Sequence, residues 1–367
     1  MSIESLTACD DPARFRLAFK AVPDRCQSGS YLNDSSRYLD LAMDPCWQPM
    51  EYWVQYDGEL PICRISARIS SVDPERGYIG LVACDGSIPN KRRVDFLVGL
   101  IELAMSWLAS RGVTHIYAPV DCNTWLKYRL MANADDEAEQ PFGWEPTCDP
   151  DLESALKMTG FDTPESALPD RSETGRYHTR VFRSVFRSAM RVLEPHYQRA
   201  VADGFTFRPF GQDGRNLSDE MEILHKIAIP SFSRQFLFEP VDLSTFKRIY
   251  ASGEGQLDLS PSAFIIPPSD HGIEVEPVGF LFGFVDRGYV VVKTVAVLPD
   301  QARNSQRRKW SAASALLYQA LNHGDRHQLR GGIAALVHED GSANTLEKWL
   351  AWASDWTRRY ELFAKQI

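Results

Sequence analysis

Apolar positions along the chain change period several times, and each change predicts an element. Between Glu51 and Ser71 they alternate in two runs separated by Tyr56-Asp57-Gly58, which predicts a β-hairpin. Tyr78 to Ala83 predicts a further strand. From Val94 the apolar residues recur at helical spacing until Gly112 stops them, and Thr114 to Val120 reads as the next strand. A helix beginning near Asn123, a helix from Asp151 to Phe161 and a closing strand from Gly175 to Arg183 complete this half. Residues 1–45 are poorly patterned, with two short helical stretches.

The second half repeats that order. Ser188 to Asp203 reads as a connecting helix, residues 205–210 as a strand, and 217–232 and 241–252 as helices. Strands at 262–267 and 278–285 lead to a β-branched run at 289–297. A polar basic loop, an Ala-rich helix to Asn322, a strand at 331–337, a helix from Asn344 and a closing strand at 358–366 follow. Asn123-Thr124-Trp125-Leu126-Lys127-Tyr128 and Asn344-Thr345-Leu346-Glu347-Lys348-Trp349 hold the same place in each series, as do Arg176-Tyr177 and Arg359-Tyr360. This is an internal duplication, dividing the chain at residues 1–185 and 186–367.

Composition bounds what the two halves can be. With 367 residues and 44% apolar residues, the chain can bury two cores. A formal net charge of −9 argues against a nucleic-acid partner held through phosphates. The acidic, polar start and the lack of a long apolar run predict a cytoplasmic protein with no membrane partner. All seven cysteines lie in the first 148 residues, none at C-x-x-C spacing, which predicts reduced thiols and no metal site.

The chemistry concentrates where the strand at 289–297 gives way to a helix. Unpaired N–H groups and the positive dipole end at that junction suit a phosphate. Ser311, Ala312 and Ala313 are small enough for close approach, and Arg303, Arg307, Arg308 and Lys309 add positive charge. An ordinary β-to-α connection with a solvated basic loop fits the same residues.

Arg308-Lys309-Trp310-Ser311-Ala312-Ala313, followed by Ala315-Leu316-Leu317, resembles the coenzyme A loop of the GNAT superfamily of N-acyltransferases, with Ser311 where the first glycine of that loop stands. The resemblance covers roughly residues 50–183 and 204–367 and implies an α/β (α+β) chain of two tandem GNAT-like domains. Each would be a mixed, mostly antiparallel sheet flanked by helices. It further implies acetyl-CoA or another acyl-CoA as co-substrate, no metal, and acyl transfer to the amine of a small-molecule acceptor in a cleft between the copies. Val295, Ala296 and Val297 would face the pantetheine, Arg303, Arg308, Lys309, Ser311, Ala312 and Ala313 the pyrophosphate, and Asn344 the arm near the thioester. Asn344 also suits a helix N-cap. The first copy carries Pro89 and Val94-Asp95-Phe96 at the matching place, a crowded and acidic helix start, so the second copy is the expected binder.

An attacking amine must lose a proton and the leaving thiolate must gain one. His338 and Glu339, after the strand at 331–337, are candidates for the base, or polar members of a strand-to-helix loop. The family's thiolate-protonating Tyr falls on Ala351 here. Tyr360 is the nearest downstream tyrosine, in a strand where core packing competes with a catalytic role. Two other readings remain: a related enzyme taking its acyl group from a carrier protein or aminoacyl-tRNA, and a non-catalytic acyl-CoA-binding protein.

Overall fold

A computed structural model of the chain describes residues 1–23, 35–134, 140–147, 149–168, 174–251, 257–269, 275–339 and 354–367. In order, its elements are β1 (Ser2–Ser5), α1 (Pro12–Ala21), α2 (Ser35–Ala42), β2 (Met50–Asp57), β3 (Leu60–Ile69), β4 (Arg76–Cys84), α3 (Asn90–Ala109) and β5 (His115–Ala118). Then come β6 (Leu130–Ala134), α4 (Pro150–Met158), α5 (Pro164–Ala167), β7 (Arg176–Phe182), α6 (Phe186–Ala202), β8 (Thr206–Pro209), α7 (Leu217–Phe232) and α8 (Leu243–Ala251). The last are β9 (Ala263–Ile266), β10 (Gly279–Asp286), β11 (Tyr289–Val297), α9 (Pro299–Arg307), α10 (Ala312–Arg326), β12 (Gly331–His338), β13 (Trp356–Glu361) and β14 (Phe363–Gln366).

These elements make two compact units. One comprises Met1–Asn133, Glu139–Tyr177 and Arg359–Ile367, the other Ala134–Ala138 and His178–Arg358. One sheet has the order β1-β2-β3-β4-β5-β14 and the other β6-β13-β7-β12-β11-β10-β9-β8. Both are mixed and mostly antiparallel. The repeated order is visible in them: β3, β4, α3 and β5 match β10, β11, α10 and β12, with an antiparallel pair followed by a parallel one in each. The strand closing each copy lies in the other copy's sheet. β14 pairs antiparallel with β5, Phe363 opposite Ala118, while β7 neighbours β12. Nothing in the pattern of either closing strand distinguishes the two edges, because both mix apolar and polar residues.

Burial follows the patterning. α3 turns Leu97, Leu100, Ile101, Ala104 and Leu108 onto Ile65, Ala67 and Ile79 of its sheet. Each leucine or isoleucine among these contributes about 1.5–3 kcal/mol on burial. In the second unit Ala312, Ala315, Leu316 and Ala320 of α10 cover Leu281 and Val290. Alanines at three of those positions bring this helix close to the strand that precedes it.

Three expectations are corrected. The basic stretch after β11 is the helix α9, opened by Pro299 at its first turn. It is polar nearly all round, so no apolar period announced it. Residues 121–129 contain no helix among the described residues. They form turns with Val120 bridged to Tyr128, and β6 follows. The register of β3 on β4 sets Cys63 opposite Cys84 with the sulfurs at bonding distance, whereas Cys9, Cys46 and Cys122 form no disulfide among the described residues. Residues 21 apart in sequence become neighbours only once the hairpin register exists. Among the described residues, no helix is long and apolar enough to cross a membrane.

Candidate functional site

β11 and β12 run parallel and paired from Tyr289 opposite Gly331 to Val292 opposite Ala334. Beyond that point β11 continues to Val297 and β12 to His338 without a shared ladder. Two local features turn the strands apart. β11 bulges against β10 at Lys293, since Phe282 faces Thr294 and Gly283 faces Val292. On β12, Leu336 adopts a left-handed φ of 58° and its N–H donates to Thr179 Oγ1 at 3.0 Å. Burial changes at the same place: Tyr289 to Val291 are buried, while Val292 to Val295 and Val297 are half-exposed. β12 likewise ends in half-exposed Leu336, Val337 and His338.

After β11 the chain passes through α9 to the N-terminus of α10. Ser311 is its N-cap, extended at φ −124°, and its hydroxyl accepts from the Ser314 N–H at 3.2 Å. Ala312 and Ala313 open the helix with N–H groups that take no acceptor from the described chain, and no acid stands in the first turn. Lys309 reaches this cap through a left-handed φ of 64°. Arg308 and Lys309 are exposed. Arg308 lies 3.7 Å from Asp203, and Arg303 pairs with Asp300.

The first copy has the same frame with both features closed. Its parallel ladder ends at Tyr78 opposite Tyr117. The chain after β5 then fills the gap: Val120 N–H donates to the Ile79 carbonyl at 2.8 Å, and Asp121 Oδ1 accepts from the Leu81 N–H at 2.6 Å. A Cβ on Gly80 would stand 2.1 Å from the Val120 oxygen, so only glycine permits this closure. At the head of α3 an anion is already present. The Asp151 carboxylate, 4% exposed, bonds Asn90 and lies 2.5 Å from Arg93. Arg93 also donates to the carbonyls of Gly86 and Ile88, which locks the turn.

The remaining predicted residues distribute as follows. Val295, Ala296 and Val297 lie on the end of β11 that pairs with β10 but no longer with β12, with Val297 O accepting from Ser231 Oγ at 3.1 Å. His338 and Glu339 end β12 half-exposed, and the Phe236 ring lies 6.4 Å from that of His338, nearly parallel. Tyr360 belongs to the other unit, fully buried on β13, where its hydroxyl donates to the buried Glu145. Asn344 and Ala351 lie outside the described residues. Sequence reading missed His196, Arg199 and Asp203 of α6, which hold the connection before α10. Their spacing along one helix face was the available signal.

No family model and no curated protein sequence matches the chain. Solved structures do. A probable N-acyltransferase from Enterococcus faecalis superposes with a TM-score of 0.54 at 9% identity, covering all of this chain and 72% of that one. A tandem GNAT protein from the clavulanic acid biosynthesis pathway, solved without AcCoA, superposes with a TM-score of 0.52 at 12% identity, covering all of this chain and 98% of that one. The chain has a tandem GNAT fold. A third match, the glucosamine N-acetyltransferase region of a fungal multi-domain GH3 β-N-acetylglucosaminidase, gives a TM-score of 0.49 at 10% identity. There 99% of this chain spans 38% of that one.

Proposed function

We propose that this protein is an acyl-CoA-dependent N-acyltransferase acting on a small-molecule amine, with its donor site in the second copy. The observation that carries this reading is the end of the β11–β12 ladder after Val292 and Ala334, together with the Ala312 and Ala313 N–H groups at the head of α10, which take no acceptor from the described chain. A pantetheine arm can add to the free edge of β11 at Val295 to Val297 as a strand would, and the diphosphate can sit at Ala312 and Ala313. Arg308 and Lys309 add positive charge. The first copy offers neither feature, because Val120-Asp121 and Asp151 occupy the equivalent positions. Its role in this reading is support.

Acyl-CoA, when bound, supplies the thioester carbonyl that the amine attacks. The chain's part is to orient that group and handle protons. His338, at the end of β12, is the proposed base, with its ring set against Phe236 and Glu339 next to it. A neutral imidazole there accepts the ammonium proton, directly or through water. No acid is assigned to the leaving thiolate: Tyr360 lies in the other unit, buried, with its hydroxyl engaged by Glu145.

Calorimetric titration with acetyl-CoA tests the reading. Wild-type protein binds, and Arg308→Glu and Ser311→Tyr weaken binding by about tenfold or more. Equal binding in all three proteins, or none in wild type, overturns it. A free-thiol assay on a panel of amines then seeks the acceptor. One observation favours a second reading, in which the donor is a thioester on a carrier protein: Ser311 replaces glycine, and its N–H is already bonded to His196. That reading requires turnover with loaded carrier and weak binding of free coenzyme A.

A further inference from the structure

α6 holds the connection before α10 at three places along one face. The Ser311 N–H donates to Nδ1 of His196 at 3.1 Å, Arg199 donates to the Lys309 carbonyl at 2.7 Å, and Asp203 Oδ2 accepts from Trp310 Nε1 at 2.8 Å. Residues 196, 199 and 203 fall three and four apart, so one helix face presents them together. Trp310 is buried and its ring meets Phe205 edge-on, which fixes the middle of the connection. The Ser311 N–H is adjacent in sequence to those of Ala312 and Ala313. An imidazole nitrogen therefore takes the acceptor's role beside two N–H groups without one.

We propose that His196 is a placeholder for phosphate: when a phosphate-bearing thioester donor binds, the ring releases the Ser311 N–H, takes a proton from solvent and donates to the phosphate. This rests on the donor site read above in the second copy. Nδ1 can accept the Ser311 N–H only while unprotonated, with the ring proton on Nε2. Burial and the neighbouring Arg199 hold His196 below the usual imidazole value, so the neutral form prevails in the free protein. The charge that acts on it is Arg199 on α6, while Arg308 and Lys309 add positive charge on the neighbouring connection. Asp203 is engaged by Trp310 and Arg308, and α10 contributes no acid in its first turn. Cations dominate until an anion arrives. A phosphate reverses that balance and favours imidazolium.

The sign follows from linkage. Binding takes up a proton at any pH between the ring's value in the free protein and its higher value in the complex. Affinity tightens as pH falls through that window, by up to about tenfold per unit of difference between the two values. Below the free-protein value the gain is complete.

The test is calorimetry with dephospho-coenzyme A, whose diphosphate does not titrate near neutrality, in buffers of different ionisation enthalpy. Wild-type protein takes up protons on binding. His196→Asn, which keeps an acceptor but no titrating ring, binds without uptake and loses the pH dependence of affinity, and His196→Ala does the same. Binding to wild type with no proton uptake, or uptake that persists in His196→Asn, overturns the proposal while leaving the donor site intact. No binding to wild type at any pH overturns the donor-site reading and this proposal with it.

Discussion

Val292 and Ala334 are the last residues paired across β11 and β12, and Tyr78 and Tyr117 hold the same place in the first copy. After the first pair the two strands share no further ladder among the described residues and are mostly half-exposed, and after the second the gap is stitched by Val120 and Asp121. A ligand that adds to a free strand edge shields backbone N–H groups. Saturating acyl-CoA therefore slows hydrogen exchange by about tenfold or more at those amides of Lys293 to Val297 that β10 does not bond, and leaves Ile79 to Cys84 unchanged. Exchange measured by mass spectrometry with and without ligand checks this. Protection in the first copy instead would reverse the assignment of the two halves.

Tyr360 and Glu145 form a buried pair, with Glu145 also accepting from the Phe142 N–H at 2.8 Å. Removing the hydroxyl leaves a buried carboxylate oxygen without its donor. Tyr360→Phe should lower stability by about 1–3 kcal/mol. Turnover per folded molecule, measured below the new melting temperature, should stay within about twofold if the hydroxyl moves no proton in the reaction. A loss of kcat near a hundredfold with unchanged stability would make Tyr360 catalytic.

Glu220 of α7 is 1% exposed and bonds Arg208 through both oxygens, at 2.7 and 2.8 Å, while also accepting from the Gly211 N–H at 3.0 Å. Truncation leaves the Arg208 guanidinium buried with no carboxylate. Glu220→Ala should cost about 3–5 kcal/mol in a chemical denaturation experiment. Exposed pairs such as Lys226 with Glu276 should cost less than about 1 kcal/mol when broken the same way.

Glu361 has its carboxyl held above the ordinary value of 4.5, first by burial and then by Glu153. The folded state thus binds more protons than the unfolded state just above that value. Stability contributed by the protonated carboxyl is complete below the ordinary value and is lost as pH rises toward the folded one. Glu361→Gln should remove this slope and raise the melting temperature near neutrality. Thermal melts over about pH 4 to 7 check it, and a wild-type curve that rises through the window would contradict it.

Much of this fold was written in local pattern. Alternation marked the β2–β3 hairpin, helical spacing marked α3 and α10, and the matched order of strands and helices disclosed the duplication, because period and turn chemistry are properties of short stretches. The small residues at 311–313 after a β-branched strand likewise marked the head of α10. Local pattern could not decide which edge each closing strand joins, that Cys63 would face Cys84, or that α9 would be helical with almost no apolar face. Nor could it reveal that Asp151 pairs with Arg93 at the head of the first copy's helix while His196 takes a backbone N–H in the second. Those outcomes depend on register and on packing between residues far apart in sequence. Residue types and spacing determined two copies of one frame; tertiary contacts decided that one is filled by its own chain after β5, whereas among the described residues no such stitch joins β11 and β12.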